Sequence, residues 1–204
     1  MKIMILGLGV IGTIYGYVFQ KSGHHVEHFV RENKRDSVPK NLDIKMLDGR
    51  YNKKGEDKKD IYKVNIALPN NSYDFILISV SVGKLESAVK TLDENNMNGT
   101  IILFNGIWEE KNSINKIMNN RKYVLGYPVA GGNIKDTLLD CVLFDHIMLE
   151  GECKADIDNY SSLSDLFSSV DIKTEVPFDM IEWIWVHMAI NAGVITTASN
   201  TEIC

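Results

Sequence analysis

The feature that most constrains this chain is a glycine-spaced segment between two apolar runs at its start. Residues 3–6 are apolar, and Gly7, Gly9 and Gly12 follow in a G-x-G-x-x-G spacing, before an amphipathic stretch and a second apolar run. This order predicts a strand, a tight turn, a helix and a second strand. Gly7 suits the sharp turn, Gly9 lets the backbone approach a pyrophosphate, and Gly12 lets the helix pack closely on the sheet.

The same segment predicts a dinucleotide-binding site. The N-terminus of the predicted helix presents free N–H groups and the positive end of the helix dipole to an anion. A G-x-G-x-x-G spacing alone is weak evidence, because flexible turns also need glycine, but here it follows a strand and opens a helix of the right length. The predicted cofactor-binding residues of this turn are Gly7, Leu8, Gly9, Val10, Ile11 and Gly12.

The end of the second strand distinguishes the two nicotinamide cofactors. An NAD site carries Asp or Glu about 20 residues after the glycines, to hold the ribose 2′-OH, whereas an NADP site carries Arg. Arg31 stands at that place, Lys34 and Arg35 follow it, and Glu32 is the one opposing charge. A guanidinium binds a phosphate in a bidentate fork and stacks on adenine. The sequence therefore predicts NADP(H); the alternative is a solvated charged loop.

Composition places the chain among ordinary globular proteins. Its 204 residues are 45% hydrophobic and 24% charged, enough for one domain and part of another. The net charge of −5 argues against a nucleic-acid partner. Cys141, Cys153 and Cys204 have no metal-site spacing, and their odd number does not suggest a disulfide framework. The prediction is a cytoplasmic protein with no bound metal and no signal peptide.

Strands and helices alternate along the rest of the chain, which predicts an α/β fold with a Rossmann-type doubly wound parallel sheet over residues 1–177. Residues 33–60 are polar and predict an exposed loop or hairpin. The other predicted elements are strands at 61–68, 73–82, 100–104, 123–126, 142–149 and 172–176, helices at 84–92, 113–118 and 160–169, and a glycine-rich turn at 128–132.

Asn105 is a candidate site residue because it follows the predicted strand at residues 100–104. In sheets of this class, ligands bind at the carboxyl ends of the strands, so we expect Asn105 to face the nicotinamide ribose or the substrate. The alternative is structural, because Asn105-Gly106 is also a common turn signal.

After Pro177 the chain predicts one long apolar helix over residues 179–199. Glu182, His187 and Asn191 fall within it and would be costly in lipid, so we predict a buried helix and no membrane partner. His187 and Asn191 are four residues apart and therefore lie on one face, where they form a polar spot. The alternative for His187 is a hydrogen-bonded core residue.

These segments together resemble the ketopantoate reductase (2-dehydropantoate 2-reductase) family over essentially the whole chain. The resemblance rests on KIMILGLGVIG at the start, HFVR at the second strand, FNG at residues 104–106, and a W-x-K-x-x-x-N helix that reads WVHMAIN at residues 185–191. It implies NADPH-dependent reduction of a small 2-keto acid to a 2-hydroxy acid, as in pantothenate biosynthesis. It also implies that Asn105 lies near the nicotinamide and that Asn191 binds substrate.

The chain departs from the family pattern at three positions. The family's catalytic lysine, which donates a proton to the developing alkoxide, falls on His187, and histidine can also donate that proton. The lysine that commonly ends the third parallel strand is replaced by Ser81, a cofactor-binding candidate, with Lys84 three residues later. A second family asparagine falls on Ile195. These departures leave open a substrate other than ketopantoate.

Members of the family continue through a further helical domain, whereas this sequence stops at Cys204. The resemblance implies that residues 178–204 are the first helix of that domain, in a truncated chain or a natural short form. The helix would then expose apolar surface, which favours a homodimer or aggregation. Two other functions stay open, because the fold hosts many activities: a non-catalytic NADP-binding module, such as a redox sensor or decayed paralogue, and an opine-type dehydrogenase.

Overall fold

A nine-stranded sheet with helices on both faces makes up the part of the chain that the computed structural model describes, residues 1–201, with side chains described to residue 193. The strands are β1 Lys2–Leu6, β2 His25–Phe29, β3 Asn41–Asp48, β4 Glu56–Lys63, β5 Ser72–Ile78, β6 Asn98–Leu103, β7 Tyr123–Lys135, β8 Leu138–Leu149 and β9 Lys173–Glu175. The helices are α1 Val10–Lys21, α2 Leu85–Glu94, α3 Lys111–Met118, α4 Tyr160–Ser168 and α5 Met180–Thr201, with a 3₁₀ helix at Glu32–Ser37.

The sheet has a parallel half and a mixed half. Its strand order is β2-β1-β5-β6-β7-β8-β3-β4, with β9 beside β8. The pairs from β2 to β7 are all parallel, as expected for buried apolar strands joined by helices. Beyond β7 the pairing alternates: β8 runs antiparallel to β7, β3 runs parallel to β8, and β4 runs antiparallel to β3. The Rossmann-type α/β prediction is confirmed, although the sheet is mixed rather than parallel throughout.

Two hydrophobic cores lie on opposite faces of the sheet, because successive side chains of a strand point to opposite sides. Ile5 of β1 belongs to the core under α1 and α4, and Met4 belongs to the core under α2, α3 and the start of α5. In the first core the rings of Tyr15, Phe104 and Phe167 pack together, with centroids 5.1 Å apart for Tyr15 and Phe104. This is the doubly wound arrangement.

Most predicted elements are confirmed with shifted ends. The polar segment at 33–60 contains the hairpin of β3 and β4, in which alternate residues of β3 are buried. The predicted turn at 128–132 is wrong, since these residues lie inside β7 and pair with β8 through a bulge between Pro128 and Ala130. Small residues are needed there: a Cβ on Gly132 would lie 2.4 Å from the Asp140 carbonyl oxygen.

Helix α5 is buried on one side only in the part whose side chains the structure describes, residues 180–193. Met180 and Ile184 are buried in the second core, whereas Val186 and Ile190 are 61% and 58% exposed. Within residues 1–201, no helix is long and apolar enough to cross a membrane. The side chain of Ile195 and residues 202–204 lie outside the described residues, and the division at residue 177 stays a prediction.

A buried histidine holds the glycine turn to the sheet. The Nδ1–H of His28 donates to the Gly7 carbonyl oxygen over 2.7 Å, so Nε2 accepts from the Tyr62 hydroxyl, also over 2.7 Å. Gly16 of α1 makes room for this pair, because a Cβ there would lie 2.7 Å from the Tyr62 oxygen. Burial lowers the pKa of His28 to about 4, so the imidazole is neutral in the folded protein near pH 7.

We predict that His28 makes the fold sensitive to acid. An unfolded histidine takes up a proton near pH 6.5 and the folded one only near pH 4, so between these values the unfolded chain binds more protons. The free energy of unfolding should fall by roughly 2–3 kcal/mol between pH 7 and pH 4.5 through this group. Urea unfolding of His28→Gln should show a flatter pH dependence. His25→Gln, on the same strand but exposed, is the control; equal slopes in all three proteins would contradict the prediction.

Candidate functional site

Two neighbouring cavities open at the carboxyl ends of the parallel strands. The first cavity, of about 610 Å³, lies beside the glycine turn, and the second, of about 480 Å³, lies beside β7, β8 and α5. Ser79 and Val80, which directly follow β5, line both. The two cavities are therefore adjacent, at the edge where ligands of such sheets bind.

The glycine turn forms one wall of the first cavity. Gly7 has a φ of +92° and its N–H donates to the Phe29 carbonyl oxygen over 2.8 Å, which makes the turn sharp, as predicted. A Cβ on Gly12 would lie 2.6 Å from Ile5 Cγ2, which confirms the predicted close packing of α1 on β1. A Cβ on Gly9 would meet nothing within 4 Å, so the turn is open on the side where a pyrophosphate is expected.

The six predicted turn residues divide between the cavities and the core. Gly7, Leu8 and Gly9 line the first cavity, Ile11 lines the second, and Val10 and Gly12 pack against the core. Helix α1 has no side-chain cap and no acidic residue in its first turn. Its first N–H groups therefore remain available to an anion. This cradle fits the phosphates of a dinucleotide.

The first cavity carries a positive charge that no neighbour neutralises. Among the described residues that line it, Arg31, Lys34 and Lys84 are cations and none is a carboxylate. None of the three forms an ion pair with a described residue. Glu32, the opposing charge in the sequence, is outside this lining. Such a cavity fits a phosphate better than a bare ribose hydroxyl.

Ser81 and Lys84 enter the first cavity from one turn. Ser81, a cofactor-binding candidate, is among the lining residues, and the Lys84 N–H donates to the Ser81 carbonyl oxygen over 3.1 Å across Gly83, whose φ is +75°. The turn therefore brings a lysine to the cavity three residues after the expected position. Arg35 is different, because its guanidinium lies 5.8 Å from the centroid of the Phe29 ring and outside the cavity lining.

The second cavity gathers a polar cluster from α5 and β7. His187 and Asn191 both line it, as their shared helix face predicted. The imidazole of His187 stacks on Trp183, with centroids 4.7 Å apart and planes at 12°, and meets the Tyr127 ring edge-on at 4.6 Å. Asn191 Nδ2 donates to the Tyr127 hydroxyl oxygen over 3.2 Å. The rings of Trp183 and Tyr127 therefore hold the imidazole in place, and the Tyr127 hydroxyl holds the Asn191 carboxamide.

Tyr127 is a site residue that the sequence analysis missed. Because Asn191 donates to its oxygen, the hydroxyl proton of Tyr127 is left to donate, and it has no acceptor among the described residues. Burial raises the pKa of Tyr127, so the hydroxyl stays protonated. The missed signal was its place just beyond the residues of β7 that pair in parallel with β6, since the same argument had singled out Asn105 after β6.

Asn105 is a buried residue whose side chain binds the backbone where the two cavities meet. It is 2% exposed, and its Oδ1 accepts from the Val80 N–H over 2.8 Å. The side chain thus ties the exit of β6 to the exit of β5, where the cavities meet. Its neighbour Gly106, rather than Asn105 itself, is part of the lining of the second cavity. A direct contact of Asn105 with nicotinamide or substrate stays a prediction.

Comparison with known proteins agrees with this arrangement. The family model described as Ketopantoate reductase PanE/ApbA matches residues 3–138, about two thirds of the chain. No curated protein sequence matches the chain.

Solved structures share the fold at low identity. One is 2-dehydropantoate 2-reductase from Geobacter metallireducens, with 16% identity and a TM-score of 0.66, covering 87% of this chain and 58% of that one. Another is a dimeric ketopantoate reductase from Staphylococcus aureus, with 15% identity and a TM-score of 0.66, covering 99% and 69%. A third is D-mandelate dehydrogenase with NADH and anilino(oxo)acetate, with 17% identity and a TM-score of 0.62, covering 91% and 59%. This chain thus spans less than two thirds of the Geobacter protein.

The geometry of the turn predicts that substitutions at Gly12 and Gly9 have different effects on the free energy of unfolding. Gly12→Ala places a methyl group 2.6 Å from Ile5 Cγ2 and should lower the free energy of unfolding by about 1–3 kcal/mol. Gly9→Ser enters open space at the position preceding α1, where serine is favourable, and should change it by less than about 0.5 kcal/mol. Urea unfolding checks both. A destabilised Gly9→Ser with an unaffected Gly12→Ala would contradict this view of the turn.

Proposed function

This chain belongs to the ketopantoate reductase PanE/ApbA family, and from that premise we propose that it is an NADPH-dependent reductase of a 2-keto acid. The observation that carries the proposal is the pair of adjacent cavities. One combines the open glycine turn with unpaired cations, and the other contains His187, Asn191 and Tyr127. A cofactor in the first cavity and a carbonyl compound in the second would meet at Ser79 and Val80, which line both.

NADPH is the proposed cofactor, held at two places. The backbone of Gly7 and Gly9 and the first N–H groups of α1 would bind the pyrophosphate. Arg31, Lys34 and Lys84 would bind the 2′-phosphate, with Ser81 in the same lining. The similar D-mandelate dehydrogenase is described with NADH, so the preference for NADPH here rests on these cations and on the absence of a carboxylate among the described lining residues.

His187 is the proposed proton donor. When bound, NADPH supplies the hydride to the keto carbon. The keto oxygen then gains negative charge and takes a proton from the imidazolium of His187, which gives the 2-hydroxy acid. Asn191 and the free O–H of Tyr127 would orient the keto and carboxylate oxygens. Asn105 would keep Val80 in place between cofactor and substrate.

A non-catalytic NADP-binding module is the second candidate. It is favoured by the exchange of the family's lysine for His187, because no lysine or arginine is found among the described residues that line the second cavity. The same first cavity would then bind cofactor, and Asn191 and Tyr127 would have only a structural role. Turnover of a 2-keto acid separates the two candidates.

We also propose that the protein forms a homodimer and is located in the cytoplasm. Val186 and Ile190 leave an apolar stripe on α5, which supports a homodimer through this helix. The similar Staphylococcus aureus protein is described as dimeric. The free Cys141 and Cys153 fit a reducing cytoplasm. If ketopantoate is the substrate, the reaction belongs to pantothenate biosynthesis.

Removal of Arg31 should change cofactor preference. Arg31→Ala should weaken NADPH binding about tenfold, as expected for one charge-assisted contact to a phosphate near solvent. NADH binding should change less than about twofold, because NADH has no 2′-phosphate. Fluorescence titration with each cofactor measures this, and Lys90→Ala, an exposed change on α2 outside the cavity, is the control. Equal loss for both cofactors, or tighter NADH binding by the unmodified chain, would refute the assignment.

Removal of His187 should affect turnover and not cofactor binding. His187→Ala should lower kcat at least about 100-fold, the usual scale for a lost general acid, and leave the Kd for NADPH within about threefold. His146→Ala, outside the second cavity, is the control. An unchanged kcat in His187→Ala would remove this residue from the mechanism.

A further inference from the structure

The second cavity is polar at one end and hydrocarbon elsewhere. Its polar side chains are Tyr127, His187 and Asn191, which contact one another, and Ser79 at the boundary with the first cavity. The other side chains that line it are apolar, and among the described lining residues there is no Lys, Arg, Asp or Glu. His187 is therefore the one described group there that can carry a positive charge. The hydrocarbon part of the lining comprises Ile11, Val80, Phe104, Pro128, Val129, Ala130, Val142 and Phe144.

The hydrocarbon part is built mainly by the antiparallel pair β7–β8. Val142 and Phe144 are two residues apart on β8, so their side chains lie on one face of the strand. Phe144 is 43% exposed although it is a large aromatic residue. An aromatic side chain left uncovered in a concave site provides contact surface for a ligand.

Gly131 leaves space beside this surface, on the same face of the sheet. It pairs with Val142 in the β7–β8 register and lines the second cavity. A Cβ on Gly131 would meet nothing within 4 Å, and its φ lies outside the left-handed range. A side chain at residue 131 therefore fits the backbone and would occupy cavity volume, since cross-strand partners project from the same face of a sheet.

We propose that the substrate is a 2-keto acid whose third carbon carries a bulky hydrocarbon group without a hydroxyl or a second charge, and that Gly131 sets its size limit. The inference rests on the proposed function. The keto and carboxylate groups lie at the polar end, and the hydrocarbon group lies against Val142 and Phe144. A hydroxyl on that group would leave water for a surface with few hydrogen-bonding side chains, which weakens binding.

The decisive comparison uses two acids that differ by one hydroxyl. Ketopantoate is trimethylpyruvate with a hydroxyl on one methyl group. We expect kcat/KM for NADPH oxidation to be about 10- to 100-fold higher with trimethylpyruvate, the range by which an apolar pocket rejects an added hydroxyl. Phenylglyoxylate should be accepted and pyruvate should be a poor substrate. Equal or higher kcat/KM with ketopantoate, or the highest with pyruvate, would overturn the inference and leave the reductase proposal intact.

Calorimetric binding to the NADP⁺-saturated chain tests the substrate class without turnover. Trimethylpyruvate should bind at least about tenfold more tightly than ketopantoate. If it does and no acid is reduced, the substrate class stands and the reductase proposal fails. If none of the acids binds and none is reduced, both fail.

Changes at residue 131 test the size limit directly. Gly131→Val should keep the melting temperature near that of the parent, because its Cβ meets open space. It should lower kcat/KM at least about tenfold for phenylglyoxylate and less than about threefold for pyruvate. Gly131→Val combined with Val142→Ala restores volume at the paired position and should recover most of the phenylglyoxylate activity. Equal losses for both acids in the single variant would refute the role of Gly131.

Discussion

The contact of α1 with Ile5 is the constraint on which the site depends. Gly12 and Gly16 lie four residues apart on one face of the helix, and a Cβ on either would come within 2.7 Å of the Ile5 side chain. The absence of both side chains lets the helix axis lie close to β1. The helix N-terminus consequently lies at the exit of β1, directly after Gly7, Leu8 and Gly9, which line the first cavity. Because Gly16 has no side chain, the Tyr62 hydroxyl fits beside it and donates to His28. His28 in turn donates to the Gly7 carbonyl oxygen and so holds the turn.

Strand β7 joins the two halves of the sheet and thereby the two halves of the site. Its first residues pair in parallel with β6, and its later residues pair antiparallel with β8. The bulge between Pro128 and Ala130 falls where the strand passes the second cavity. Bulges bend a strand and redirect its side chains, which is why they recur beside active sites. One strand therefore supplies both Tyr127 at the polar end and Gly131 at the hydrocarbon surface.

Local patterns in the sequence predicted the parts of the site that depend on local structure. The glycine turn, the strands on either side of it and Arg31 all belong to one short strand–turn–helix–strand segment. Their places in the fold could therefore be predicted from the spacing of glycines and apolar residues. The sequence showed that the family's lysine is replaced by Ser81, but not that Lys84 lines the same cavity, because the conformation of Gly83 cannot be read from the sequence. The place of Tyr127 after a predicted strand was available in the sequence, but its hydrogen bond with Asn191, 64 residues away, was not. Residues 128–132 of β7 were predicted as a turn because proline and glycine are typical turn residues, whereas the pairing of this segment with β8 is a long-range contact.

The exchange of lysine for histidine at residue 187 fits the surroundings of that residue. A lysine ammonium is a strongly hydrated point charge, and it would lose much of its hydration in a cavity with this hydrocarbon lining. A neutral imidazole has no net charge that must lose its hydration in the cavity, and the same ring can still bind and release a proton. It is also flat, so it stacks on Trp183 and meets the edge of Tyr127, contacts that fix its plane and that an ammonium cannot make in the same way. A lysine at position 187 would need an acidic neighbour to balance its charge, and the described lining of the second cavity contains no carboxylate.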